Sequence, residues 1–258
     1  MFQGFYTLGS AMISENRNLN VISNNMANAA TTGYKSDKYI ASTFREEVLY
    51  RSGNITPNKR TPIGTTAMIQ ATNDRVTNYE QGGMEPTEMP LDCAINGNGF
   101  FAVQTGAGAD AGVVYTRSGS FIIDDERYLA VPNIGRILGT NNAPIQVDTD
   151  ALVIDIDGTV RGEETGTVYG TIRLDDFEDY YEDLVKGDNG TFTVQDGAAP
   201  QAAANAQIVQ GMLERSNTSM VEEMTSMMSA QRSLQAAAQL IKMYDQLDAR
   251  TVTLGGMS

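Results

Sequence analysis

Histidine is absent from the 258-residue chain, which removes the triads and dyads that use imidazole as their base and most zinc sites. Only one cysteine, Cys93, is present. It can form neither an intramolecular disulfide nor a thiolate metal cluster, and it reads as a small core residue. Positive charge is also scarce. Eighteen Lys and Arg stand against 32 Asp and Glu, a formal net charge of −14, which opposes any binding that works by neutralising phosphates or anionic lipid. Nucleic acid is therefore not an expected partner. No apolar run approaches the roughly 18 residues of a membrane-spanning helix, so no direct membrane insertion is expected. The opening Met1-Phe2-Gln3-Gly4-Phe5-Tyr6 lacks both the basic and the continuous apolar stretch of a cleaved secretory signal. Export, where it occurs, is expected by another route.

What is present divides the chain into two similar ends and a different middle. The 41% apolar content is enough for a sizeable core. Near the start, Phe5, Leu8, Met12, Leu19, Ile22 and Met26 fall three, four or seven apart, interrupted by Glu15. That stripe predicts a helix from Phe2 to about residue 28. Asn24, Asn25 and Asn28 crowd its end, where Asn tolerates left-handed backbone, and Thr31-Thr32-Gly33 supplies a break. Towards the other end, Ser219 with Glu222 forms a capping-box pattern, and Glu222-Glu223 put negative charge where the helix dipole favours it. The stripe that follows, Met220, Met224, Met227, Gln231, Leu234, Ala238 and Ile241, steps alternately by four and three. This is the heptad seam of a helix lying along another helix, weakening where Asp245 and Asp248 share the register.

Between the ends, β-branched and aromatic runs separated by Gly, Asn and Asp predict strands over 100–104, 113–117, 120–123, 128–131, 152–157, 168–174 and 191–194. Most of the acidity lies here. Residues 148–188 hold thirteen acidic and three basic side chains, a net of −10, read as a solvated β surface. Residues 51–90, with Pro57, Pro62, Pro86 and Pro90 among many Thr and Asn, read as extended. The Ala-rich run 198–206 reads as a linker or as the first turns of the last helix. The expected class is α+β: an N-terminal helix and turn over 1–36, an extended connector over 37–90, a mainly-β domain over 91–197, and a linker with the C-terminal helix over 198–258.

Several strings invite a chemical reading. Asp155-Ile156-Asp157-Gly158-Thr159 follows an apolar run, as in the nucleophile motif of haloacid-dehalogenase-type phosphatases. That chemistry needs Asp155 as nucleophile, Asp157 as acid and base, Mg²⁺, and a later Lys with further carboxylates. Lys186-Gly187-Asp188 is the only downstream candidate and follows too soon for the βα units of such a fold. A strand closing in a tight Asp-Gly turn accounts for the same residues. Asn96-Gly97-Asn98-Gly99 leads into a strand-like run instead of a helix, so it is read as a hairpin turn and not as a phosphate loop. The glycosylation-like triplets at Asn54, Asn189 and Asn217 carry no assigned role.

The segment Asn24-Asn25-Met26-Ala27-Asn28-Ala29-Ala30-Thr31-Thr32-Gly33-Tyr34-Lys35 resembles the N-terminal signature of the bacterial flagellar rod and hook family, N-N-x-A-N-x-x-T-x-G-[YF]-K. Two further regions agree. One is Leu91–Phe101 with Tyr115–Phe121; the other is Gly211-Met212-Leu213-Glu214-Arg215-Ser216-Asn217 with Ala230-Gln231-Arg232. The opening residues and the length resemble the distal or proximal rod proteins more than the longer hook protein. The resemblance implies a non-enzymatic subunit whose two terminal helices pair as an axial, coiled-coil-like layer, with the mainly-β domain inserted between them and facing outward. It implies export by the flagellar type III apparatus without signal cleavage, no cofactor, and self-assembly into a helical polymer beside other rod and hook proteins. On this reading Leu8, Met12, Leu19, Ile22, Met224, Met227, Leu234 and Ile241 supply apolar packing, with Gln231 on the same stripe. Asn24, Asn25, Asn28, Thr31, Gly33 and the adjoining Tyr34 end the first helix and turn the chain outward. A distal rod subunit is the leading expectation. A proximal rod or hook subunit, a coiled-coil adaptor and the Asp155/Asp157 phosphatase are the alternatives.

Overall fold

The computed structural model describes residues 2–43, 46–52, 60–67, 70–106, 112–195, 197–203 and 205–255. Asn54 and Pro57 lie outside them. Helix α1 (Phe2–Ala27) is followed by strands β1 (Asp37–Thr43), β2 (Glu46–Ser52), β3 (Arg60–Ala67) and β4 (Gln70–Thr77). Short strands come next: β5 (Met84–Pro86), β6 (Cys93–Asn96), β7 (Phe100–Thr105), β8 (Gly112–Thr116), β9 (Ile122–Ile123), β10 (Leu129–Val131) and β11 (Gly135–Ile137). The acidic stretch holds β12 (Leu152–Ile154), β13 (Thr159–Gly162), β14 (Val168–Thr171), β15 (Leu174–Asp176), the single turn α2 (Tyr180–Asp183) and β16 (Leu184–Lys186). The chain closes with β17 (Thr191–Val194), β18 (Gln201–Ala202), β19 (Gln207–Gln210), β20 (Met212–Glu214) and the 36-residue helix α3 (Met220–Gly255). The architecture is α+β, a helix at each end of a mainly-β middle.

Two units divide these elements, and neither is continuous in sequence. One gathers residues 1–26, 37–76 and 220–258; the other gathers 27–36 and 77–219. In the first, the stretch read as extended connector forms two two-stranded ribbons, β1 with β4 and, antiparallel, β2 with β3. An isolated extended chain leaves its backbone groups to water, whereas these strands satisfy each other.

In the second unit a nine-stranded sheet runs in the order β16-β17-β8-β7-β11-β10-β9, with β15 on β7 and β18 on β15. β7 is its centre, and alternation along that strand explains the two cores. Phe101 and Val103 enter a cluster with Leu129, Ile137 and Ile154, while Phe100 and Ala102 enter another with Tyr115, Phe177 and Phe192. Side chains on successive strand residues point to opposite faces, so one strand with both faces buried serves two clusters. Cys93 sits in the first of these, fully buried, as its small apolar character predicts. Among the described residues of the run 198–206 none is helical; it carries β18, whose residues Gln201 and Ala202 pair with Asp176 and Asp175.

Asp155 and Asp157 lie at a hairpin between β12 and β13 of a three-stranded antiparallel sheet. The Gly158 N–H donates to the Asp155 carbonyl at 2.9 Å with Gly158 at φ 85°, and the Asp157 carboxylate accepts from the Thr159 N–H at 3.1 Å. A phosphatase of the suggested type holds this motif at the end of a parallel strand between βα units. The tight-turn reading fits the geometry, and the phosphatase is not favoured.

Candidate functional site

The three regions of family resemblance meet at one buried ion cluster in the second unit. Lys35, Arg117 and Glu214 are 1%, 4% and 2% exposed. The Lys35 Nζ donates to Glu214 Oε1 at 2.7 Å and to the Glu80 carbonyl at 2.8 Å. Arg117 donates to Glu214 Oε2 at 3.2 Å and to the Gly97 carbonyl at 2.8 Å. The Gly82 N–H is the third donor to this carboxylate, reaching Oε1 at 3.0 Å. Two cations thus share one carboxylate, and two neutral carbonyl oxygens accept further hydrogen bonds from them, while the buried Arg117 Nε has no hydrogen-bond partner among the described residues. Buried charge is tolerated only with such partners. Burial holds the Lys35 ammonium below the ordinary lysine range, opposed by the attraction of Glu214.

Local backbone puts these groups in reach. β20 pairs antiparallel with β5, Glu214 opposite Met84, so the single acidic residue of Met212-Leu213-Glu214 turns inward. Gly33 sits at φ 68°, and its N–H donates to the Glu214 carbonyl at 2.8 Å. An added Cβ there would meet the Arg117 backbone at 2.4 Å, so only glycine permits both the turn and the approach. Tyr34 is buried, with the Lys186 ammonium 4.0 Å from its ring centre. The Asn217 carboxamide accepts from the Ser36 N–H at 2.7 Å and donates to the Asn78 and Glu80 carbonyls at 2.9 and 3.1 Å. One side chain therefore ties residues 36, 78 and 80 together.

In the first unit Asn25 performs a comparable task. It is 2% exposed. Its carboxamide donates to the Asp37 carbonyl at 2.8 Å and accepts from the Asp37 N–H at 3.0 Å, which clips β1 to the end of α1. The same Nδ2 donates to Glu223 at 2.9 Å, in the first turn of α3. Of the neighbouring expected residues, Asn24 is exposed on the helix, while Asn28 accepts from the Thr31 N–H at 3.1 Å and from the Thr31 hydroxyl at 3.2 Å within the turn.

At their other ends the helices meet again, since a Cβ added to Gly4 would lie 2.8 Å from the Tyr244 hydroxyl. Residue 25 with 223 and residue 4 with 244 give the two helices opposite directions. Between these points every position of the line Gly4, Leu8, Ala11, Glu15, Asn18, Ile22 and Asn25 is buried or half-buried. On α3 the shielded line is Glu223, Met227, Ala230, Leu234, Ala237, Ile241 and Tyr244. Both step alternately by four and three. Met227, Leu234 and Ile241 lie on this line, while Met224 and Gln231 are exposed beside it. On α1, Leu8 and Ile22 lie on its line, and Met12 and Leu19 are half-buried next to it.

Lys35, Arg117, Glu214 and Asn217 stand in the resembling motifs without having been singled out as site residues. The signal of the first three is opposite charge in otherwise apolar or turn-forming strings far apart in the chain; the neutral Asn217 gives no such signal. Gathered terminal helices and a β unit closed on itself by a buried ion cluster define a structural subunit with helical ends. Family models match along the chain: "Flagella basal body rod protein" over residues 5–35, "Flagellar hook protein FlgE/F/G D1 domain" over 94–162, and "Flagellar basal body rod FlgEFG protein C-terminal" over 209–254. The chain is 31% identical to the flagellar basal-body rod protein FlgF of Caulobacter vibrioides over 93% of each chain. It is 32% identical to the flagellar hook-basal body complex protein FlhO of Bacillus subtilis over 95% of each. Identity to the flagellar basal-body rod protein FlgG of Borreliella burgdorferi is 30% over 96% of each. The chain belongs to the flagellar basal-body rod and hook family, and its setting is the basal body of the bacterial flagellum.

Proposed function

We propose that this chain is a subunit of the distal rod that polymerises into a helical tube and transmits torque from motor to hook. It does so beside other rod and hook proteins, after delivery by the flagellar type III export apparatus without a cleaved signal. The observation that carries this reading is the pair of heptad lines on α1 and α3, matched in length and opposite in direction. In the reading they pack as an antiparallel, coiled-coil-like layer around the tube axis. The seam is rich in Gly, Ala and polar residues, so two helices alone bury little apolar surface. Neighbouring copies supply the rest, and folding of the ends is coupled to assembly. Gly33, Tyr34 and the Lys35 cluster direct the chain out of α1 in this scheme.

Amide hydrogen exchange tests it, with protection measured separately over the two helical ends (residues 2–26 and 220–255) and over the β unit (27–36 and 77–219) in dilute and concentrated chain. Both ends exchanging freely when dilute, and becoming protected as tubes appear in electron micrographs, is the expected result. Ends already protected in a monomer or a small closed oligomer would overturn it. Electron cryotomography of cells carrying a density-tagged chain fixes the segment. Label in the half of the rod adjoining the hook is expected, whereas label at the membrane-proximal half makes this a proximal rod subunit.

A further inference from the structure

Strand β18 joins the nine-stranded sheet by one side only, since among the described residues β15 is its sole paired strand. The register fixes which of its groups are left over. The Ala203 N–H donates to the Leu174 carbonyl at 3.1 Å, while Ala202 stands opposite Asp175 and Gln201 opposite Asp176. Bonded positions alternate along an antiparallel pair, so residues 201 and 203 turn their backbone groups to β15 and the N–H and C=O of Ala202 point off the edge. Ala202 is exposed and lines a groove of about 750 Å³ with Asn98, Asp176, Glu178, Gln201 and Asn205. Among the described residues no Lys or Arg lines it. Arg173 is committed to Asp175, and Arg117, bonded to the Gly97 carbonyl, is committed to Glu214. The Phe177 N–H and the Tyr180 hydroxyl that donate to Asp176 are neutral, so its charge stands, and Glu178 is exposed.

We infer that this groove docks an extended, basic peptide segment of a partner protein by strand addition to β18. The main chain of the segment pairs with the N–H and C=O of Ala202, the carboxamides of Asn98, Gln201 and Asn205 meet its further backbone groups, and a Lys or Arg side chain meets Asp176 and Glu178. Backbone pairing at a sheet edge supplies affinity, and the side-chain contacts beside it supply specificity. Folded proteins ordinarily guard such edges with Lys or Pro. Here Pro200 bounds the edge on one side, but residues 201–203 carry no charge, so one pair of backbone groups stays on offer. Charge decides what takes it. The two lining carboxylates belong to the stretch 148–188 with its net of −10, which repels an acidic segment and attracts a basic one. The inference stands apart from the tube reading, since it concerns the β unit of a single copy.

Peptide binding to the dilute full-length chain, followed by fluorescence anisotropy, tests this. The probes are a labelled octapeptide of alternating Lys and Thr, the same peptide methylated on its backbone nitrogens, and the counterpart of alternating Glu and Thr. Expected are saturable binding of the first below about 1 mM, binding of the other two weaker by about tenfold or more, and slowed amide exchange over residues 201–203 in the first complex. Ala202→Pro removes the outward N–H and leaves the bonds to β15 in place, so it should weaken the Lys-Thr peptide about fivefold. Glu178→Gln, which loses one exposed ion pair, should weaken it about threefold. Equal binding of the plain and methylated peptides would mean charge attraction without strand pairing and overturns the inference. So does a Lys-Thr peptide that fails to bind, or one that binds Ala202→Pro as well as the native chain. Self-association of the dilute chain that Ala202→Pro abolishes would make a second copy the occupant, and overturns it too.

Discussion

At the scale of single residues, the buried cluster is asymmetric and Glu214 is its weak point. Replacing Glu214 by Gln keeps the size and one acceptor oxygen but leaves Lys35 and Arg117 without their shared counter-charge. Uncompensated buried charge costs about 3–5 kcal/mol, so chemical unfolding of the β unit should shift strongly in Glu214→Gln. Adding Lys35→Met to that variant should restore part of the loss, because one stranded cation is gone. A Glu214→Gln variant as stable as the native chain would mean that the cluster does not hold the unit together. Cys93 gives a pH-dependent counterpart. Burial, with a smaller contribution from the Asp92 carboxylate, raises its thiol from 9.0 to about 12. Below pH 9 folded and unfolded chains both keep the proton, and stability is unaffected. Between 9 and 12 the unfolded chain ionises while the folded one does not, so stability falls by up to about 1.4 kcal/mol per pH unit. Tyr115, raised to about 12, adds a loss of the same sign from about pH 10. Unfolding of the native chain and Cys93→Ala across this range should give a difference that narrows as pH rises. A constant difference would show that the thiol ionises alike in both states.

At the scale of elements, the two helices were legible and their contact face only partly so. The periodicity of Phe5, Leu8 and Ile22, and the stop at the Asn cluster, correspond to α1. On α3 the stripe read from apolar spacing shares Met227, Leu234 and Ile241 with the shielded line, but its positions Met224, Gln231 and Ala238 fall one residue beyond Glu223, Ala230 and Ala237. Hydropathy favours methionine, whereas close helix approach favours small residues, and Ala230 and Ala237 occupy the shielded positions for that reason. Polar positions on the same line, Asn25 and Glu223, satisfy each other and so escape a search for apolar spacing. The two lines make opposite predictions. Ala230 is 4% exposed and its neighbour Gln231 points away. Ala230→Glu should bury an unpaired carboxylate and cost about 2–4 kcal/mol, lost as exchange protection over residues 4–25 and 223–244 of the assembled chain. Gln231→Glu should stay within about 0.5 kcal/mol. Equal effects would mean that neither residue faces α1.

At the scale of the whole molecule, the discontinuous make-up of both units lay beyond a linear reading. Residues 27–36 belong with 77–219 because Lys35 meets Glu214 across 179 positions and Asn217 bonds Ser36 across 181. No local spacing reports such a partner; the motifs were visible as strings, and only folding shows that they converge. Total charge, in contrast, is read directly and has a consequence for assembly. Every copy brings −14, of which −10 lies in residues 148–188. In the proposed tube, stacked copies would repel one another through these fields, with a range of about 10 Å at 0.1 M salt and about 3 Å at 1 M. Apolar contacts between helices are not weakened by the same salt. The critical concentration for assembly, measured by sedimentation, should therefore fall as sodium chloride is raised from about 0.05 to 0.5 M. The exposed Asp179→Asn and Glu182→Gln substitutions together should flatten that dependence without changing its sign. A critical concentration that rises with salt would instead mean that attractive ion pairs between copies hold the polymer.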